Sequence, residues 1–90
     1  MTLGPAGLMM KDKLTRAFAP LFLEVIDESH LHAGHAGSRP GGETHFRIKI
    51  VSDAFSGKTR IDRHRMINEL LAAELRDRVH ALAIKADAPE

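Results

Sequence analysis

The sequence predicts a small α/β domain of the α+β kind, with a three-stranded mixed sheet covered by helices in the order α-β-β-α-α-β. Three observations carry this: a helical repeat that stops at Pro20, two β-rich runs separated by a stretch rich in Gly and His, and a long helical pattern leading into a last alternating run. Ninety residues make one domain, 1–90, with a modest core.

Met10, Leu14, Ala17 and Phe18 recur at helical spacing, so residues 7 to 18 read as an amphipathic helix ended by Pro20. Met9 and Met10 offer alternative starts for the chain. LFLEVIDES, 21 to 29, is a short β-rich run, and HFRIKIVS alternates, with Phe46, Ile48 and Ile50 on one face and Arg47 and Lys49 on the other. Between them lies a histidine-rich loop, 30 to 42. Ser52 and Gly57 bracket a single helical turn at Asp53 to Phe55, and Thr59 with Asp62 resembles a capping box opening a long helix. Ile61, His64, Asn68, Leu71 and Leu75 mark one stripe of that helix. VHALAIKA, 79 to 86, is the third strand signal, and a polar tail follows at 87 to 90.

Two strands with a non-helical connection are expected to pair antiparallel, and a helical crossover to return a parallel third strand. The beginning of that strand, at His80, then lies at the same end of the sheet as the loop, so residues 48 positions apart can meet.

Composition narrows the function. No apolar run approaches the ~20 residues of a membrane span, and MTLGPAGLMM lacks the order of a secretory signal, so a cytoplasmic protein is expected. There is no Cys, hence no disulfide, no thiolate nucleophile and no sulfur ligand beyond the weak thioethers of four Met. A thiolate-loving metal centre would need a partner. The net charge of +1 supplies no global field for nucleic acid, yet Arg47, Lys49, Lys58, Arg60, Arg63 and Arg65 fall within twenty positions.

Four of the six histidines lie in DESHLHAGHAGSRPGGETHF, residues 27 to 46. His30, His32 and His35 read H-L-H-A-G-H, close to the H-x-H-x-D-H of zinc hydrolases, but Gly34 replaces the Asp and ninety residues are too few to supply the remaining ligands. A solvated loop that binds nothing is the plainer alternative. His45 reads as a partly exposed strand residue or a hydrogen-bond partner to the loop, without chemistry, and His64 as a structural imidazole bonded to a backbone carbonyl, with a ligand role as the second choice. His80 is either a satisfied strand-end histidine or, because topology brings it to the loop, a metal ligand. GHAG, 34 to 37, matches the G-x-x-G of KH domains, but that loop joins two helices and this one joins two strands, so the match is fortuitous.

LEVIDESHLHAGHAG, then ETHFRIKIVSDAFSGKTRIDRHRMINELLAAEL, then VHALAIKADAP together resemble a BolA-like protein over nearly the whole chain. ETHF, VS-x-x-F-x-G-K, RHRM-x-N and VHAL recur in order at that family's spacing. The resemblance implies a class II KH-like topology without the G-x-x-G clamp, a monothiol glutaredoxin as partner, and a 2Fe-2S cluster shared with glutaredoxin and its glutathione in iron trafficking. Some bacterial members are transcriptional regulators. By the same resemblance the ligands are a loop His or Cys and the His of VHAL: His80, with His32 or its rival His35. An imidazole pair opposite thiolates has precedent in Rieske-type centres, and protonatable ligands ease release as pH falls. The alternative function is DNA binding through the basic start of the long helix, Lys58, Arg60, Arg63 and Arg65, with Asp62 interrupting it. An enzyme is not expected, and whether the free protein forms a homodimer stays open.

Overall fold

The computed structural model describes residues 3–29 and 42–90. The elements are α1 (Pro5–Phe18), β1 (Phe22–Asp27), β2 (His45–Val51), a 3-10 turn (Asp53–Phe55), α2 (Arg60–Leu70), α3 (Ala72–Asp77) and β3 (Ala81–Asp87). The order matches the expected one. The sheet runs β1-β2-β3, with β1 antiparallel to β2 (Phe22 opposite Val51, Asp27 opposite Phe46) and β3 parallel to β2 (His45 opposite Ala81, Val51 opposite Asp87).

Side-chain alternation fixes which face of the sheet the helices cover. Phe46, Ile48 and Ile50 of β2 are buried, while Arg47 and Lys49 point to the other, open face. From α1, Met10 and Leu14 enter the same core; Phe55 on the 3-10 turn is fully buried with its ring 4.9 Å from that of Phe18. Helix α1 begins at Pro5, two residues before the periodicity starts, because Pro is favoured in the first turn; it ends with Ala19 in a left-handed conformation ahead of Pro20. The turn at Asp53–Phe55 is bracketed as expected: Ser52 Oγ accepts from the Ala54 amide, and Gly57 has φ 74°.

The long helix departs from its expected form in two ways. It is bent at Leu71 (φ −98°, ψ 17°), which divides α2 from α3, and the stripe it buries is different. Ile67 and Leu71 are fully buried with Met66, Leu70 and Leu75 packed against them, whereas Ile61 is 69% exposed and Asn68 also faces solvent. The inner face is thus rotated away from Ile61 and Asn68, and the run Met66, Ile67, Leu70, Leu71 is the apolar surface the core accepts. Arg63 shares this inner side. Its Nη1 donates to the Ala86 carbonyl at 3.0 Å and its Nε to the Lys58 carbonyl at 3.0 Å, so the guanidinium ties α2 to the end of β3. Thr59 Oγ1 accepts from the Asp62 amide at 3.1 Å, the expected cap.

Candidate functional site

One end of the sheet concentrates polar groups around two imidazoles. The parallel ladder starts there: the Thr44 carbonyl accepts the amides of both His80 (2.7 Å) and Ala81 (3.1 Å), which fixes the backbone of His80 just before β3. The side chain of His80 is exposed, so the residue is anchored through its backbone and open through its ring. Its ring centroid lies 5.3 Å from that of His45, the rings tilted by 52°. His45 corrects the expectation of a partly exposed strand residue: it is 7% exposed, and its Nδ1 is 2.9 Å from Thr44 Oγ1. Alternation does aim His45 at the open face of the sheet, but the residue leading into β3 lies alongside it there.

The backbone around the pair is held from β1. Asp27 Oδ1 accepts from the amide (2.9 Å) and hydroxyl of Ser29, an Asx-type turn that closes the end of β1. Ser29 Oγ in turn accepts from the buried amides of Thr44 (2.9 Å) and His45 (3.2 Å), and Asp27 Oδ2 accepts from the Glu43 amide (3.1 Å). From α3's end, Arg78 Nε and Nη2 both donate to the Gly42 carbonyl, at 3.1 and 2.7 Å. Ser29 and Gly42, the described residues on either side of 30 to 41, are therefore both secured at this end of the sheet. His32 and His35 lie outside the described residues. Among the described residues no group of three or more His, Asp or Glu converges as a complete metal site. What the described residues offer at this end is one exposed imidazole beside a buried one, in a chain that has no thiolate.

The basic candidates do not act as one group. Lys58, Arg60 and Arg65 are exposed at the start of α2, Arg65 within 3.8 Å of Asp62, while Arg63 faces inward as described. His64 is half-buried between them, and among the described residues its ring has no hydrogen-bond partner, unlike the carbonyl-bonded imidazole expected. Arg60, Arg63, His64, Lys85 and Asp87 line a cleft of about 410 Å³ between α2 and the end of β3, at the opposite end of β3 from His80. Sequence reasoning missed His45 as a neighbour of His80, and missed Asp27, Ser29 and Glu43 altogether. The signal for the last three was the pairing of DES before the loop with ET after it, short polar residues able to bond the backbone of each other's segment.

The family model for BolA-like protein matches residues 14–90. The chain belongs to the BolA-like family. Among its relatives, this BolA-like chain is 51% identical to the DNA-binding transcriptional regulator BolA of Escherichia coli (strain K12), over 83% of this chain and 68% of that one. It is 47% identical to the SufE-like protein 1, chloroplastic/mitochondrial, of Arabidopsis thaliana over 99% of its own length, but spans only 25% of that longer protein. The solved BolA domain of SufE1 from Arabidopsis thaliana superposes with a TM-score of 0.89 at 48% identity, covering 98% of this chain and 96% of that one. The three-stranded mixed sheet with its helices is thus the fold of the BolA domain. No helix among the described residues is long and apolar enough to cross a membrane.

Proposed function

We propose that this BolA-like protein is a non-enzymatic partner of a monothiol glutaredoxin that takes a share in a 2Fe-2S cluster through histidine, in cluster assembly, trafficking or iron regulation. The observation that carries the reading is His80: an exposed imidazole on a backbone held by two hydrogen bonds to Thr44, at the sheet end where the residues flanking 30 to 41 are secured. That placement supports a second ligand from His32 or, failing it, His35. The cluster is cargo, and it needs thiolates that a chain without Cys does not have; glutaredoxin and its glutathione would supply them. This chain's part is to present imidazole nitrogen, neutral and oriented, from a rigid strand end. The cytoplasm is the compartment this reading expects. Titrating the purified protein into cluster-loaded monothiol glutaredoxin should change the visible absorption and circular dichroism with a one-to-one endpoint. An unchanged spectrum at excess protein contradicts the reading.

A second reading, DNA binding, is favoured by the name of the Escherichia coli relative and by the three exposed cations Lys58, Arg60 and Arg65 at the start of α2. Such contacts would go to phosphates first, and Arg63 would take little part because its guanidinium is spent on carbonyls. Arg60→Ala with Arg65→Ala should then weaken binding on any sequence and flatten its salt dependence by about two phosphate contacts. Affinity indifferent to that pair of changes removes this reading.

A further inference from the structure

Glu43 is a buried carboxylate that the function above does not use. It serves a helix far from it in sequence. The local start of α1, Gly4-Pro5-Ala6-Gly7, has no side chain able to cap it, and none does. The cap comes from Glu43, whose Oε2 accepts the buried Gly7 amide at 2.9 Å, which also puts negative charge at the positive end of the helix. The residue pays for this with its backbone: φ is +63°, in the left-handed region that side-chain-bearing residues rarely adopt, directly after Gly42 at φ +74°. Gly4 fits the same account, since its own φ of −84° is ordinary and what a Cβ there would meet is the Glu43 carboxylate, which would have to move aside.

The consequence lies one residue on. Thr44 follows Glu43, and its carbonyl is the common acceptor for the amides of His80 and Ala81. Glu43 is fixed at both ends, by its carboxylate on α1 and by its amide on Asp27 Oδ2, and so it anchors the chain entering Thr44, whose carbonyl shares a peptide unit with the His45 amide that Ser29 Oγ accepts. We propose that Glu43 is a positioning residue for the histidine site: its grip on the first turn of α1 holds the Thr44 carbonyl, and through it His80, in the place from which the imidazole reaches a ligand. This rests on the reading of His80 as a cluster ligand.

The test compares Glu43→Ala, Glu43→Gln and Gly4→Ala in the full chain, with His80→Ala alongside. One readout is native-state hydrogen exchange of the His80 and Ala81 amides by NMR in the free protein. The other is the visible circular dichroism formed with cluster-loaded monothiol glutaredoxin. Glu43→Ala should speed exchange of those two amides by about tenfold or more relative to the middle of β2, and should cut the dichroism severalfold. Glu43→Gln should restore both, because an amide oxygen still accepts from Gly7. Gly4→Ala, which displaces the carboxylate from the other side, should reproduce the loss and decides the matter if Glu43→Ala does not fold. Wild-type exchange and wild-type dichroism in Glu43→Ala or Gly4→Ala, while His80→Ala abolishes the signal, overturn the positioning role and leave the ligand reading standing. Wild-type dichroism in His80→Ala overturns the ligand reading and this proposal with it.

Discussion

The histidine end of the sheet and the start of α2 both drew attention as sequence, and they differ in how their functional groups are held. At the histidine end, Asp27, Ser29, Glu43 and Arg78 all act on backbone, so an exposed imidazole stands on a fixed support. At the start of α2 the cations divide: Arg63 is consumed in tying the helix to β3, and Lys58, Arg60 and Arg65 project into water. Directional ligation needs the first arrangement, while phosphate contact tolerates the second. A dense charge run is therefore weaker evidence of a site than one side chain whose backbone is over-determined.

Breaking the support should have the largest effect. Ser29→Ala leaves the buried Thr44 and His45 amides without their acceptor, and should cost about 2–3 kcal/mol, lowering the melting temperature by about 10 °C or more. A loss below about 0.5 kcal/mol would mean that these amides find other partners and that the end is loosely held. Arg63→Ala comes next, at about 1–2 kcal/mol, because two carbonyls lose a partly buried charged donor; urea denaturation with an unchanged slope would show the loss to be one of native stability. The smallest effect belongs to Arg60→Ala and Arg65→Ala, each within about 0.5 kcal/mol by the same measurement, since both side chains are exposed and the Arg65–Asp62 contact is a surface pair. If Arg65 proved as costly as Arg63, the division between the two regions would not hold.

Much of this was legible in advance for identifiable reasons. The alternation of Phe46, Ile48 and Ile50, the Pro20 stop, the Ser52 to Gly57 bracket and the Thr59 cap are local signals, and local signals survive into the fold. The parallel third strand followed from connection type, and with it the placement of His80 beside the loop ends. The bend at Leu71, itself fully buried, did not show, because AAEL is a strong helix former. Nor did the true inner stripe of α2, where Ile61 and Ile67 look equivalent until packing on the sheet buries one and leaves the other exposed. His45 and Glu43 were missed for one shared reason. Their surroundings are assembled across the sheet end and from α1, and no spacing within ETHF announces a neighbour 35 or 36 residues away.

The central claim is that the exposed ring of His80 is a ligand and not the decoration of a strand end. The most direct measurement is the visible circular dichroism of His80→Ala mixed with cluster-loaded monothiol glutaredoxin, with far-ultraviolet dichroism and melting temperature recorded on the same sample. The fold should be kept, because an exposed imidazole contributes little packing and its backbone bonds to Thr44 do not depend on the side chain. The signal of the mixed cluster should be lost while the melting temperature stays within a few degrees of wild type; a folded His80→Ala protein that gives the wild-type cluster signal would show that the ring is no ligand.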